Sequence, residues 1–306
     1  MANIKEIRDR INSVEDTKKI TNAMYLISST KLRKARKMLT DTEPFFFATK
    51  ALISRLVRNI PTDTENIFLE SRQDIPDSEK RRGYIVFTDD KGLAGAYNHN
   101  VLKLAEQHIQ NDGTKWKLFV IGELGRFYFT TRNMPVEESF AFTTQNPTLH
   151  RARMISAEIL DYYNSREIDE FYVIYTTVKG SVCETRFEKL LPLDLITDIQ
   201  KDIPEGAYLD EFLMEPSPSA ILDNIVPNYI TGFIYGALVE AFCSVQSSRM
   251  MAMDSANKNA ESMLSELHRS YNRQRQAMIT QEITEVVSGA KALKRSKAVK
   301  ERKHSE

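Results

Sequence analysis

Glycine and proline are absent from residues 1–43 and again from residues 237–288. The chain's 11 glycines and 10 prolines fall almost entirely between Pro44 and Gly236. Such stretches exclude a loop-rich protein and predict two long terminal helices around a globular insert. Cysteine is scarce too. Cys183 and Cys243 lie far apart, make neither a disulfide framework nor a zinc site, and suit a reducing compartment. Net charge is also lacking, with 42 Lys plus Arg against 42 Asp plus Glu. Global charge therefore gives no pull toward nucleic acid or a membrane surface. No run of about 18 apolar residues occurs, so no membrane span is expected. The opening residues 1–6 have no apolar core, so no secretory signal is expected. What remains, at 306 residues and 42% hydrophobic, reads as a soluble, intracellular protein able to bury a sizeable core.

The N-terminal segment repeats Ile4, Ile7, Ile11 and Val14 at spacings of 3 and 4, an a/d heptad seam. The frame continues through Lys18, Thr21, Tyr25, Ser28, Leu32, Ala35 and Leu39. A second stripe, Ile20, Ala23, Met24 and Ile27, asks for cover on another side. In the C-terminal segment Pro227 suits a first helical turn, and Ile230, Phe233, Ile234, Ala237, Leu238, Ala241 and Phe242 form a broad apolar face. Leu264, Leu267, Tyr271, Gln274, Met278, Gln281 and Glu285 then hold a heptad frame with increasingly polar occupants. At 1.5 Å per residue these are rods of roughly 60 and 90 Å. Neither can bury itself on a compact domain, so the simplest arrangement pairs them antiparallel.

Between them the pattern changes. Gly83–Thr88, Trp116–Ile121 and Phe171–Thr176 read as short buried strands, and 184–191 as a strand pairing with the third through a Lys179-Gly180 turn. Helical stretches are expected over 98–110, 123–130 and 147–164. The alternation predicts an α/β layer with a largely parallel sheet. The division expected is a coiled-coil helix over 1–60, an α/β domain with its connections over 61–219, a second coiled-coil helix over 220–290, and a basic tail over 291–306, frayed or disordered.

Catalytic patterns are thin. Residues 89–98 sit between a strand and a helix, where phosphate loops occur, but lack both the dinucleotide glycine pattern and the Gly-Lys-Ser/Thr of a P-loop. A tight turn is favoured over an anion cradle. Asp89 and Asp90 are expected to be solvated rather than metal-bound. The five histidines show no ligand spacing. Cys183 lacks a base and reads as a half-buried structural thiol, and Cys243 as core. Residues 31–37 carry five positive charges without an aromatic platform, which favours a protein partner over RNA. The last helix is densely polar at Arg273, Arg275, Gln276, Thr280, Gln281, Glu282, Thr284 and Glu285, yet Met278, Ile279, Ile283, Val286 and Val287 lie among them. A two-helix pair covers only one side, so the rest needs a surrounding protein.

Three segments carry a resemblance over nearly the whole chain. Ile4-Lys5-Glu6-Ile7-Arg8 through Thr17–Met24, the turn Asp90-Lys91-Gly92-Leu93-Ala94-Gly95-Ala96-Tyr97-Asn98, and above all Ile279–Ala290 preceded by Arg275-Gln276-Ala277 resemble the γ subunits of F-type ATP synthases. Ala94 and Ala96 replace a frequent Cys and Gly of that family's turn, and the chain runs about 16 residues beyond the usual end. The resemblance implies a long antiparallel coiled coil of the two termini with an inserted Rossmann-like α/β foot. It implies a central rotary shaft without a catalytic site or cofactor of its own, coupling ion flow through a membrane ring of c subunits to ATP synthesis or hydrolysis at β subunits. Its partners would be three α and three β subunits, the ε and δ subunits and the c ring, with no nucleic acid and with membrane contact only through the complex. The coupling ion, H⁺ or Na⁺, would be chosen by ligands in other subunits. Residues matching Arg275 and Gln276 hydrogen-bond a β-subunit loop in the family. Met24, Arg249, Thr280 and Glu282 match the same coupling region, and Glu215 and Pro216 match the part of the foot facing the ring. The absence of a transit peptide would place such a complex at a bacterial plasma membrane, with this chain peripheral on the cytoplasmic side. The competing readings are a cytosolic α/β nucleotide-binding module with helical dimerisation arms, and a coiled-coil RNA-binding adaptor.

Overall fold

The computed structural model describes residues 4–59, 66–69, 72, 75–179, 182–193, 215 and 217–303. In order, they form α1 (Ile4–Asn59), β1 (Arg81–Phe87), α2 (Tyr97–Asn111), β2 (Lys115–Ile121), α3 (Glu123–Thr131), α4 (Leu149–Asn164), β3 (Glu170–Lys179), β4 (Val182–Leu191) and α5 (Pro218–Lys303). Gly180 of the expected hairpin turn lies outside the described residues. The chain divides into two compact units, one of residues 1–24 with 253–306 and one of residues 25–252.

The second unit holds a four-stranded sheet in the order β2-β1-β3-β4. β1 is parallel to both neighbours and β4 is antiparallel to β3. Side chains alternate across a strand, and both faces are buried here. Ile85 and Phe87 of β1 join Phe119, Val173, α4 residues Ile155 and Ile159, and α5 residues Leu222, Val226, Ile230 and Ile234. Tyr84 and Val86 face the other way, with Val101, Ala105 and Ile109 of α2 and Phe129 of α3. This burial on two sides explains why the strands are continuous apolar runs. By composition, part of α5 would be apolar enough to cross a membrane, but half of that stretch is buried.

The start of the sheet carries a buried ion network. Asp169 accepts from Arg72 at 2.6 Å and from the Arg81 backbone N–H at 2.9 Å. Its neighbour Glu170 accepts from Lys189 at 3.0 Å, Arg82 Nε at 3.0 Å and the Tyr172 hydroxyl at 2.9 Å.

Two helix expectations need correction. Pro227 does not open α5. The helix begins at Pro218, and the Ser217 hydroxyl caps it by accepting from Ala220 N–H at 3.2 Å. The rule of a proline at the first helical position holds, but for a different proline. Pro227, like Pro44 in α1, lies inside the helix. An interior proline costs about 3 kcal/mol, and the side chains around it offset that cost. Leu222, Val226 and Ile230 are fully buried, and Phe46 stacks on Tyr229 with centroids 5.5 Å apart. The tail, expected to be frayed, continues α5 as helix to Lys303.

The first unit is an antiparallel helix pair. Lys18 meets Glu261 at 2.9 Å, and Thr21, one turn on, hydrogen-bonds Asn257, one turn back. Ile7 and Ile11 are buried, and Leu264, Leu267, Tyr271 and Gln274 are half-buried on the facing seam.

Candidate functional site

β2 and β3 flank β1 on opposite sides, so the end of β1 is the switch point of the sheet, where α/β folds bind ligands. Residues 89–98 occupy it. Asp89 is 3% exposed rather than solvated as expected. Its carboxylate accepts from Arg249 of α5, and its N–H donates to Asn98 Oδ1 at 2.9 Å. The Arg249 guanidinium also reaches the carbonyl oxygens of Lys91 and Gly92, each at 3.3 Å. Burial pushes the Asp89 carboxyl up, against the opposing pull of Arg249. Asp90 accepts from the Glu123 N–H at 3.2 Å and from the hydroxyls of Thr143 and Thr144. A phosphate at this point would meet two carboxylates and a cation already paired. Among the described residues, no three His, Cys, Asp or Glu side chains come together to hold a metal.

The turn demands its two special residues. Gly95 has φ +56°, and a Cβ there would stand 3.8 Å from the Ser248 carbonyl oxygen of α5. Leu93 also has positive φ and is exposed, while Ala94 is buried against the α2 core. Cys183 is half-buried with its Sγ 3.4 Å from the Ser248 hydroxyl, and Cys243 is buried, its thiol pushed up to about 11 chiefly by desolvation.

Arg249 was expected to match a coupling region that contacts a partner subunit; within the chain its guanidinium is bound by Asp89, and its spacing explains why. Ala241 and Val245 precede it at intervals of four, so Arg249 prolongs the buried stripe of α5 and needs an acid opposite. That signal was present in the sequence and identifies Asp89 only once the sheet is folded.

The other expected residues lie along the helix pair. Met24 is half-buried, and Ile20 and Ile27 of the second stripe are 61% and 55% exposed. The register set by Lys18 and Glu261 brings Ile4 level with about residue 274–275, so α5 beyond that point has outrun its partner. Arg275, Gln276, Thr280 and Glu282 are all exposed. The Thr280 hydroxyl donates to the Gln276 carbonyl at 2.9 Å. The side chains of Arg275, Gln276 and Glu282 have no partner among the described residues. Met278, Ile279, Ile283, Val286 and Val287 are exposed beside them. Glu215 is exposed at a bend before α5, and Pro216 lies outside the described residues.

Comparison with known proteins gives one consistent result. The family profile described as ATP synthase matches residues 3–293. An ATP synthase gamma chain of Ruminiclostridium cellulolyticum is 43% identical over 95% of this chain and 99% of its own length. One of Acetobacterium woodii, described as sodium ion specific, is 36% identical over 95% and 99%. Among solved structures, the rotor of the Euglena gracilis mitochondrial ATP synthase covers 90% of this chain and 98% of its own, at 16% identity and a TM-score of 0.63. A central stalk and c-ring structure from Tetrahymena thermophila covers 78% and 99%, at 20% identity and a TM-score of 0.58. Those two structures show a shared fold.

Proposed function

The chain belongs to the ATP synthase gamma-chain family, and from that premise we propose that it is the central rotary shaft of an F-type enzyme, coupling ion flow through a c ring to ATP synthesis and hydrolysis at three β subunits. It contributes no active site. Its partners are three α and three β subunits around the helix pair, with ε and the c ring at the α/β domain and δ elsewhere in the complex. It is peripheral, held on the cytoplasmic side of a bacterial plasma membrane through the complex. The observation that carries this reading is the end of α5, where Arg275, Gln276 and Glu282, without partners among the described residues, and bare apolar side chains cover a helix that has outrun the described α1. Such a surface is costly in water and is explained by a sleeve of other subunits.

On this reading Arg275 and Gln276 bond a loop of one β subunit at one rotary position and release it at the next. Thr280, Glu282 and Met24 belong to the same sliding contact, and Glu215 and Pro216 to the ring-facing side. A charge-assisted hydrogen bond contributes about 1.5–3 kcal/mol. Losing it at a rate-limiting angle slows turnover by about tenfold or more. Arg275→Ala and Gln276→Ala, made singly, are therefore expected to cut ATP hydrolysis by purified complexes of matched subunit content. Wild-type turnover in both variants would return this face to simple solvent contact. The broader reading is tested by reconstitution without the chain, which should leave hexamers that cannot pump ions.

A further inference from the structure

Most of what holds α5 to the sheet is hydrophobic: Leu222, Val226, Ile230, Ile234 and Leu238 lie in one buried cluster with the strands. Hydrophobic burial is non-directional, so it resists separation better than it resists sliding or rolling. Directional contacts must fix the register, and among the described residues they include two sets far apart along the helix, with the Ser244 hydroxyl donating to the Thr176 carbonyl at 2.8 Å between them. Near its start, Asn66 Nδ2 donates to Asp223 at 2.9 Å and to the Ser219 hydroxyl at 3.1 Å. Roughly 40 Å further along, at 1.5 Å per residue, Arg249 grips Asp89 and the carbonyls of Lys91 and Gly92.

The second tie is the better braced. Asp89 stands at the end of β1, a strand with neighbours on both sides. Its N–H is held by Asn98 at the start of α2, its carbonyl oxygen accepts from Leu124 N–H of α3 at 3.2 Å, and the next residue, Asp90, is tied to Glu123 and Thr143. A sideways load on Arg249 is thus passed to β1, α2 and α3 together. Stability alone does not demand this pair, since apolar residues of similar volume are often as good in a buried position.

We propose that Asp89 and Arg249 form a torque-bearing clasp, locking the α/β domain to α5 so that rotation of one is delivered to the other without slip. The clasp rests on the rotor reading above and adds positioning residues to it. Asp89 touches no nucleotide and acts only through α5.

The test uses complexes carrying Asp89→Asn, an isosteric change that removes the charge. ATP hydrolysis is expected to stay within about twofold of wild type, while ions pumped per ATP fall by about threefold or more, as a weakened tie slips under load. A covalent substitute then separates mechanical from merely structural loss. A Cβ at Gly95 would lie 3.9 Å from Ala252 Cβ, within the span of a disulfide. In the Asp89→Asn background, Gly95→Cys with Ala252→Cys, and with Cys183→Ser and Cys243→Ser to prevent other pairings, should regain pumping per ATP when oxidised and lose it again when reduced. Arg249→Lys, which keeps the charge but not the fork over Lys91 and Gly92, should lower the same ratio less, and serves if Asp89→Asn fails to assemble. An unchanged pumping ratio in the variant complexes overturns the clasp, as does an oxidised cross-link that restores nothing when the same cysteine pair beside native Asp89 keeps the normal ratio, the control for a side chain at the positive φ of Gly95. Normal coupling by complexes lacking the chain altogether would instead overturn the rotor reading.

Discussion

Gly122, which follows β2 and precedes α3, has φ +101°, and a Cβ there would collide with the Thr88 backbone. Thr88 cannot retreat. Its hydroxyl donates to the Ile121 carbonyl at 3.0 Å and accepts from Gly125 N–H at 3.0 Å. Gly122→Ala combines a disfavoured backbone with overpacking and is expected to cost about 3 kcal/mol or more, read as a lower urea midpoint. Glu170 gives a prediction of the opposite kind. Burial works against its charge, yet Lys189, Tyr172 and Arg82 together hold its carboxyl down at about 2. A carboxyl depressed in the folded state stabilises above its unfolded value, near 4.5, and that stability is lost as pH falls toward 2. The contribution is about 3 kcal/mol. Denaturation of the chain at pH 5 and at pH 3 should show the loss, and Glu170→Gln should flatten the profile while lowering stability at pH 5. An equally steep profile in the variant would remove Glu170 from the account. Neither Gly122 nor Glu170 stands out in the sequence. Both depend on contacts between segments distant along the chain, and no local pattern of glycines or charges reports such contacts.

At the scale of elements, the sequence was legible wherever periodicity was strong. The seam Ile4–Leu39 is covered at every position from Ile7 to Leu39, including the polar Lys18, Thr21 and Ser28. Those polar residues are tolerated because Lys18 reaches Glu261 and Thr21 reaches Asn257. Strands and helices of the insert fall within a few residues of expectation. Prolines were the weak point. Pro227 reads as a helix start, yet it lies inside α5 as Pro44 lies inside α1, because burial of Leu222, Val226, Ile230 and Ile53 outweighs the local penalty, which no short window can weigh. The tail was misread for a related reason. Lacking an apolar stripe, residues 291–303 give no reason for order, yet α5 carries through them. Truncation after Ala290 removes no heptad contact and is expected to leave ATP hydrolysis by the assembled complex within about twofold, under about 0.4 kcal/mol in the barrier. Failure of the shortened chain to assemble would show that the tail has a docking role.

At the scale of the whole molecule, the chain mixes regions that complete their own packing with one that does not. The α5 residues from Leu222 to Val245 bury their apolar side chains within the second unit. Beyond Gln274, among the described residues, the same helix shows its own backbone hydrogen bonds and local side-chain pairs such as Gln281 with Glu285 at 2.9 Å. Its composition there is poor for a lone helix, with Ile279, Thr280, Ile283, Thr284, Val286 and Val287 β-branched and Gly289 close behind. Isolated helices of modest length are marginal in water. This part of the candidate surface was legible early, because apolar residues among charges on a helix without a second partner can be counted in the sequence. The clasp was not, because it joins residues 160 positions apart. Hydrogen exchange should separate the two regions. In the isolated chain, amides of 275–293 should exchange within about tenfold of unstructured rates, while those of 222–245 are slowed by about a thousandfold or more. Assembly with α and β subunits should slow 275–293 by at least about tenfold and leave 222–245 little changed. Strong protection of 275–293 in the free chain would mean that this helix supplies its own stability. The bare apolar residues would then cease to argue for a surrounding sleeve, and the case for one would fall back on Arg275 and Gln276.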